Sequence, residues 1–77
     1  MPLTDDQCRA LRLLADTRHG RTLANMLAHG FKRALLNELL STGLAIAEPG
    51  TIRATGRTIE VIWFVITEAG RAMLDTV

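Results

Sequence analysis

A single cysteine, Cys8, occurs in these 77 residues, so no disulfide can form within the chain, and a reducing compartment is its natural home. Cys8 falls on the apolar side of a helical pattern, where a small core residue is expected rather than a reactive thiol. His19, His29 and Cys8 lack the spacing of a metal-ligand set, and no metal site is expected. The longest unbroken apolar run, Val61 to Ile66, is too short to cross a bilayer. The opening MPLTDDQ is acidic and has neither the basic nor the apolar stretch of a signal peptide. Together these absences predict a soluble, cytoplasmic chain with no membrane partner. No Ser/His/Asp set, flanking carboxylate pair or glycine-rich phosphate loop is present, so no enzyme, no cofactor and no small-molecule ligand is expected. Repeats and low-complexity tracts are missing too. A net charge of +1 singles out no partner by itself.

What is present describes one folded domain spanning 1–77, with 48% apolar and 22% charged residues. At this length a single core is only marginally stable, so association with a second copy would help. Thr4 followed by Gln7 forms a capping box, with Asp5 and Asp6 in the first turn, and opens a helix to about Asp16 that carries Cys8, Leu11, Leu14 and Ala15 on one face. The TRHGR segment, Thr17 to Arg21, reads as a loop. Thr22 caps a short helix, Leu23 to Ala28, in which Leu23, Ala24, Leu27 and Ala28 are available for burial. A turn at His29-Gly30-Phe31 leads into a longer helix, Phe31 to Thr42, closed by a left-handed Gly43, with Phe31 plugging the gap between the two helices. In this last helix Leu35, Leu36, Leu39 and Leu40 make the apolar stripe, and Lys32, Arg33, Asn37, Glu38 and Ser41 lie off it. This is the helix-turn-helix arrangement, and it predicts a small DNA-binding module.

After Gly43 the period changes to alternation. Leu44 to Glu48 reads as a strand that Pro49-Gly50 bends or interrupts, and Arg57 to Ile66 as a longer strand, with Ala54-Thr55-Gly56 as the hairpin tip. Centring the tip on Thr55 pairs Ala47 with Trp63 and Ala45 with Val65, and places Ile46 beside Phe64. Leu44, Ile46, Ile62, Phe64 and Ile66 then cover the helices, while Val61, Trp63 and Val65 point away. Thr67 caps a final helix, Glu68 to about Asp75, which returns Met73 and Leu74 to the core; Gly70 in its middle costs about 1 kcal/mol relative to alanine.

Charge is segregated along the chain. The windows Thr17–Asn37 and Pro49–Ile59 hold Arg18, Arg21, Lys32, Arg33, Arg53 and Arg57, six of the nine basic residues, and none of the eight acids. Such a distribution offers a polyanion one basic side on a nearly neutral molecule. Lys32, Arg33 and Asn37, near the start of the third helix, are the residue types that contact guanine and adenine edges; otherwise they are the solvent face of an amphipathic helix. Arg53 and Arg57 flank the tip and suit phosphate or minor-groove contact, and Arg18 and Arg21 suit backbone phosphate. His29 is a turn cap, a phosphate donor or a plain surface residue.

The segment LSTGLAIAE after the third helix, and ITEAGRAML at Ile66 to Leu74, resemble the winged helix-turn-helix domain of MarR-type bacterial transcription regulators. The resemblance covers roughly Leu3 to Leu74. It implies an α+β, mainly α, winged helix: a three-helix helix-turn-helix core, a β-hairpin wing and a C-terminal helix. It also implies transcription regulation through double-stranded DNA, with the recognition helix Phe31 to Thr42 in the major groove and the wing tip Arg53 to Arg57 on phosphate or minor groove. At the start of that helix this chain carries Ala28-His29-Gly30-Phe31, where the family usually has small hydroxyl residues and an arginine. The rival expectation is a winged-helix interaction module without DNA binding. An outward row of Val61, Trp63 and Val65 suggests a homodimer interface, unless the N-terminal residues or the last helix fold over it.

Overall fold

In a computed structural model that describes residues 3–76, the first helix begins on a completed capping box. The Gln7 backbone N–H donates to the Thr4 hydroxyl at 3.1 Å, and the Thr4 N–H donates to the Gln7 side-chain oxygen at 3.0 Å. Two otherwise orphaned donors are satisfied, and helix α1 runs over Asp5–Ala15 with Cys8, Ala10, Leu11 and Leu14 buried. The stretch expected to be only a loop then contains a two-residue strand, β1 (Arg21–Thr22), too short to leave any periodicity in the sequence. Thr22 ends this strand and caps α2 (Leu23–Ala28), accepting from the Asn25 N–H at 3.1 Å.

Within α2 the buried residue is Met26; Leu23 and Leu27 are half-buried, and Ala24 and Ala28, expected to be available for burial, are exposed. A helix under two turns long has too few apolar residues for its phase to be read. Helix α3 (Arg33–Ser41) starts two residues later than the expected Phe31, because Lys32 is the extended N-cap and offers no side-chain acceptor to the first N–H groups. Phe31 itself is buried between the helices. Gly43 follows the Thr42 cap in the left-handed region, φ +76°, as expected.

The hairpin differs most from expectation. Strand β2 (Ala45–Ala54) runs unbroken through Pro49-Gly50, and β3 (Arg57–Ile66) lies between it and β1 in the order β1-β3-β2, all antiparallel. Pro49 is tolerated because β2 is an edge strand, where a missing N–H costs no ladder bond. The turn is two residues, Thr55-Gly56, both with positive φ (52° and 74°), the primed geometry that matches strand twist. Dropping one residue from the expected tip shifts the register by one. Ala47 pairs with Phe64, Glu48 with Trp63 and Ala45 with Ile66. Ile46, expected against the helices, therefore pairs with Val65 on the outer face and is 44% exposed, while Ala45 takes the inner place and is buried. Ile62 does share the face of Phe64 but lies beyond the helices, and is likewise exposed.

Thr67 caps α4 (Glu68–Asp75) through the Gly70 N–H at 3.1 Å and donates its hydroxyl hydrogen to the Gly43 carbonyl at 2.6 Å. Gly70 lets this helix dock. A Cβ there would lie 2.2 Å from the Leu44 carbonyl oxygen and 2.7 Å from Ile66 Cγ1. The core collects Leu11, Leu14, Met26, Leu36 and Leu39, closed by Phe31, Leu44, Ala45, Phe64 and Ile66, with Leu3, Met73 and Leu74 packed against it. The result among the described residues is a small α+β fold of four helices and one three-stranded sheet. Its extents are 44 × 21 × 20 Å, and the far half of the hairpin stands clear of the helices. None of these helices is long and apolar enough to cross a membrane.

Candidate nucleic-acid interface

Helix α3 buries Leu36 and Leu39, half-buries Leu35 and Leu40, and exposes Arg33, Ala34, Asn37, Glu38 and Ser41. Arg33, Asn37 and Ser41 are spaced i, i+4, i+8 and form one outward ridge. Lys32 is exposed at its start. The only carboxylate on the helix, Glu38, lies toward α1, where the Gln7 side-chain amide donates to it at 3.2 Å. Glu38 also shares a hollow of about 240 Å³ with Asp6, Arg9, Phe31 and Lys32. The ridge is left with donors and an amide but no acid of its own helix.

Around the turn between α2 and α3 the structure assembles basic groups from two parts of the chain. His29 is the exposed C-cap of α2 and borders a shallow hollow with Arg9, Arg12, Asp16 and Phe31, so an acid stands among these groups. The Arg9 guanidinium lies 5.6 Å from the Phe31 ring centroid, a cation–π distance, and pairs with Asp6 at 3.3 Å. Arg9 and Arg12 do not figure among the sequence candidates. The available signal is their place on the polar face of α1, which gives no hint that this face meets the turn.

The remaining candidates are dispersed. Arg21 is half-buried and engaged within the fold: its Nε donates to the Leu13 carbonyl at 3.3 Å, and one terminal nitrogen donates to Asn25 Oδ1 at 3.0 Å. It ties the end of α1 to α2. Arg18 is exposed but stands by the outer face of the sheet, where it borders a hollow with His19, Glu48, Trp63 and Val65. Arg53 and Arg57 are both exposed near the hairpin tip. Arg53 pairs with Thr58 and Arg57 with Ala54, so strand alternation sends the two guanidiniums to opposite faces.

Val61, Trp63 and Val65 share one face and are half-buried. Trp63 does not lie over two alanines, as the expected register had it; it pairs with Glu48 on one side and Thr22 on the other. Among the described residues neither element suggested as a cover reaches this row: α4 docks at Leu44 and Ile66, and Leu3 packs on the main core, while Met1 and Pro2 lie outside the described residues. Among the described residues no group of three or more His, Cys, Asp or Glu is placed to hold a metal ion. Comparison with protein-family models, curated proteins and solved structures finds no match to this chain.

Proposed function

We propose that the chain is a winged helix-turn-helix domain that binds double-stranded DNA and acts as a small cytoplasmic transcriptional regulator. Helix α3 enters the major groove, and the hairpin tip touches phosphate or minor groove. The observation carrying this reading is the outward ridge Arg33–Asn37–Ser41, which Glu38 does not join because it faces α1; Lys32 precedes the ridge and borders the α1-side hollow with Asp6 and Glu38. A ridge of this composition has the donors that read guanine and the amide that reads adenine, on an element that fits a major groove about 12 Å wide. Further support comes from the hairpin that follows α3 and runs directly into α4 at Thr67, the succession the MarR-type resemblance implies. Arg53 and Arg57, facing opposite ways, let a thin two-stranded arm meet phosphates on both sides of a groove. Arg21 holds α1 against α2 and sets the angle of the helix pair; Arg9 and Arg12 lie beside the turn, Arg9 paired with Asp6 and both sharing a hollow with Asp16.

Fluorescence anisotropy of a generic duplex against salt tests this. With Lys32, Arg33, Arg53 and Arg57 each on a phosphate or base, the log–log slope is about −3 to −4. Arg33→Ala lowers affinity by roughly 1–3 kcal/mol. Absence of any duplex binding at low salt overturns the proposal and leaves the protein-interaction reading, which the uncovered apolar face of the sheet favours.

A further inference from the structure

Trp63 is the only tryptophan in the chain, and it stands on the side of the sheet that no helix covers. Cross-strand pairing gives that side Ile46 with Val65, Glu48 with Trp63, Gly50 with Val61, and Ile52 with Ile59. Ile46 and Ile59 are each 44% exposed, a continuous apolar strip on a chain with few residues to spare for solvent. The indole leans across the neighbouring strand over Gly50, where a Cβ would come within 2.6 Å of Cδ1 and 2.7 Å of Nε1. On its two flanks are hollows of about 540 Å³, bordered by Arg18, His19, Glu48 and Val65, and about 290 Å³, bordered by Thr17, Asn25 and Ile52. Trp63 lines both hollows, so the indole, the apolar strip and the hollows lie on one surface.

The charges there are also two-signed. Arg18 and Glu48 are exposed at the same hollow, and the ion pair found among the described residues, Arg9–Asp6, involves neither. A surface carrying a half-buried indole, hollows on its flanks and unpaired charges of both signs complements itself, which is what an isologous two-fold contact requires. Nucleic acid is disfavoured at this face by Glu48 and by the isoleucines.

We propose that this face binds a second copy of the chain, the exposed side of each Trp63 indole packing against the apolar strip of the other protomer, with Arg18 opposite the partner's Glu48. The contact lies away from the α3 ridge, and of the proposed DNA contacts only Arg57, at the tip end of the same face, borders it. Its apolar centre supplies most of the burial, and the reciprocal charge pairs fix the register of the two hairpins.

Sedimentation equilibrium of the full chain, without DNA, from micromolar to sub-millimolar concentration tests it. The expected mass rises from 8.4 kDa toward twice that value, with a blue shift of Trp63 emission over the same range. Arg18→Glu and Glu48→Arg, both at exposed positions, each sediment as folded monomers by circular dichroism. Mixed in equal amounts they dimerise at least tenfold more strongly than either alone, because both cross-pairs become complementary. A pairing within one protomer cannot produce that rescue. Ile46→Glu, also exposed, abolishes the dimer by an independent route. A wild-type mass of 8.4 kDa throughout, or a mixture as monomeric as its components, overturns the proposal.

Discussion

Replacing Gly70 by alanine sets two physical effects against each other. Helix propensity alone makes Gly70→Ala stabilising by about 1 kcal/mol, since glycine in a helix interior loses more backbone freedom than alanine. The docking geometry opposes this. The added methyl carbon would sit 2.2 Å from the Leu44 carbonyl oxygen, a backbone atom that cannot swing aside, and 2.7 Å from Ile66 Cγ1. Restoring an ordinary carbon–oxygen contact moves α4 outward by about 1 Å, at the overpacking cost of roughly 1–3 kcal/mol. The same movement lengthens the Thr67 hydroxyl bond to Gly43 (2.6 Å) and the Thr67 N–H bond to Leu44 (3.1 Å), each worth about 1 kcal/mol. Setting a gross loss near 3 kcal/mol against the propensity gain leaves a net destabilisation of about 2 kcal/mol. For a domain of this size that corresponds to a fall in Tm of roughly 10 °C. Urea denaturation and thermal melting followed by circular dichroism measure it. Ala72→Gly in the same helix, at an exposed position, is the control and costs about 1 kcal/mol. A Gly70→Ala protein as stable as the parent, or more so, would refute the reasoning that α4 is held by close approach to the sheet.

Thr55 is a β-branched residue at φ 52°, so Thr55→Asn, which completes an Asn-Gly primed turn, raises stability by roughly 0.5–1 kcal/mol in the same melts. Arg21→Ala removes the donors to Leu13 and Asn25 and lowers stability by roughly 1–3 kcal/mol; any loss of duplex affinity should recover when binding is corrected for the folded fraction. Phe31→Ala opens a cavity under the α2–α3 turn and costs about 3 kcal/mol or more, visible as a lowered urea midpoint with little change in slope. Gly50→Ala displaces the indole of Trp63, which shows as a red shift and quenching of its emission in the monomer.

Most of the backbone plan is legible in the sequence because it is written in local chemistry. Three threonines, Thr4, Thr22 and Thr67, each place a hydroxyl where a helix has unsatisfied N–H groups, and all three starts are found there. The leucines of α3 fix its buried face, and hence the Arg33–Asn37–Ser41 ridge. What is not legible depends on distant parts of the chain. Strand β1 exists because Arg21 and Thr22 meet Phe64 and Trp63, more than forty positions away. The hairpin register hinges on whether Ala54 belongs to the turn or the ladder, a single residue that exchanges Ile46 for Ala45 at the core. For the site, the sequence shows which residues are basic but not which way they face. Arg21 is drawn inward by Leu13 and Asn25, Arg18 goes to the sheet side, and Arg9 and Arg12 arrive at the turn from α1.

Titration of isotopically labelled protein with a short duplex, followed by amide chemical shifts, addresses the DNA-binding proposal most directly. Concentrated shifts at Lys32, Arg33, Asn37 and Ser41, joined by Thr55 to Arg57 and leaving Ile46 and Trp63 unmoved, are the predicted result. Shifts confined to the Ile46–Trp63–Val65 side, or none at low ionic strength, would contradict it.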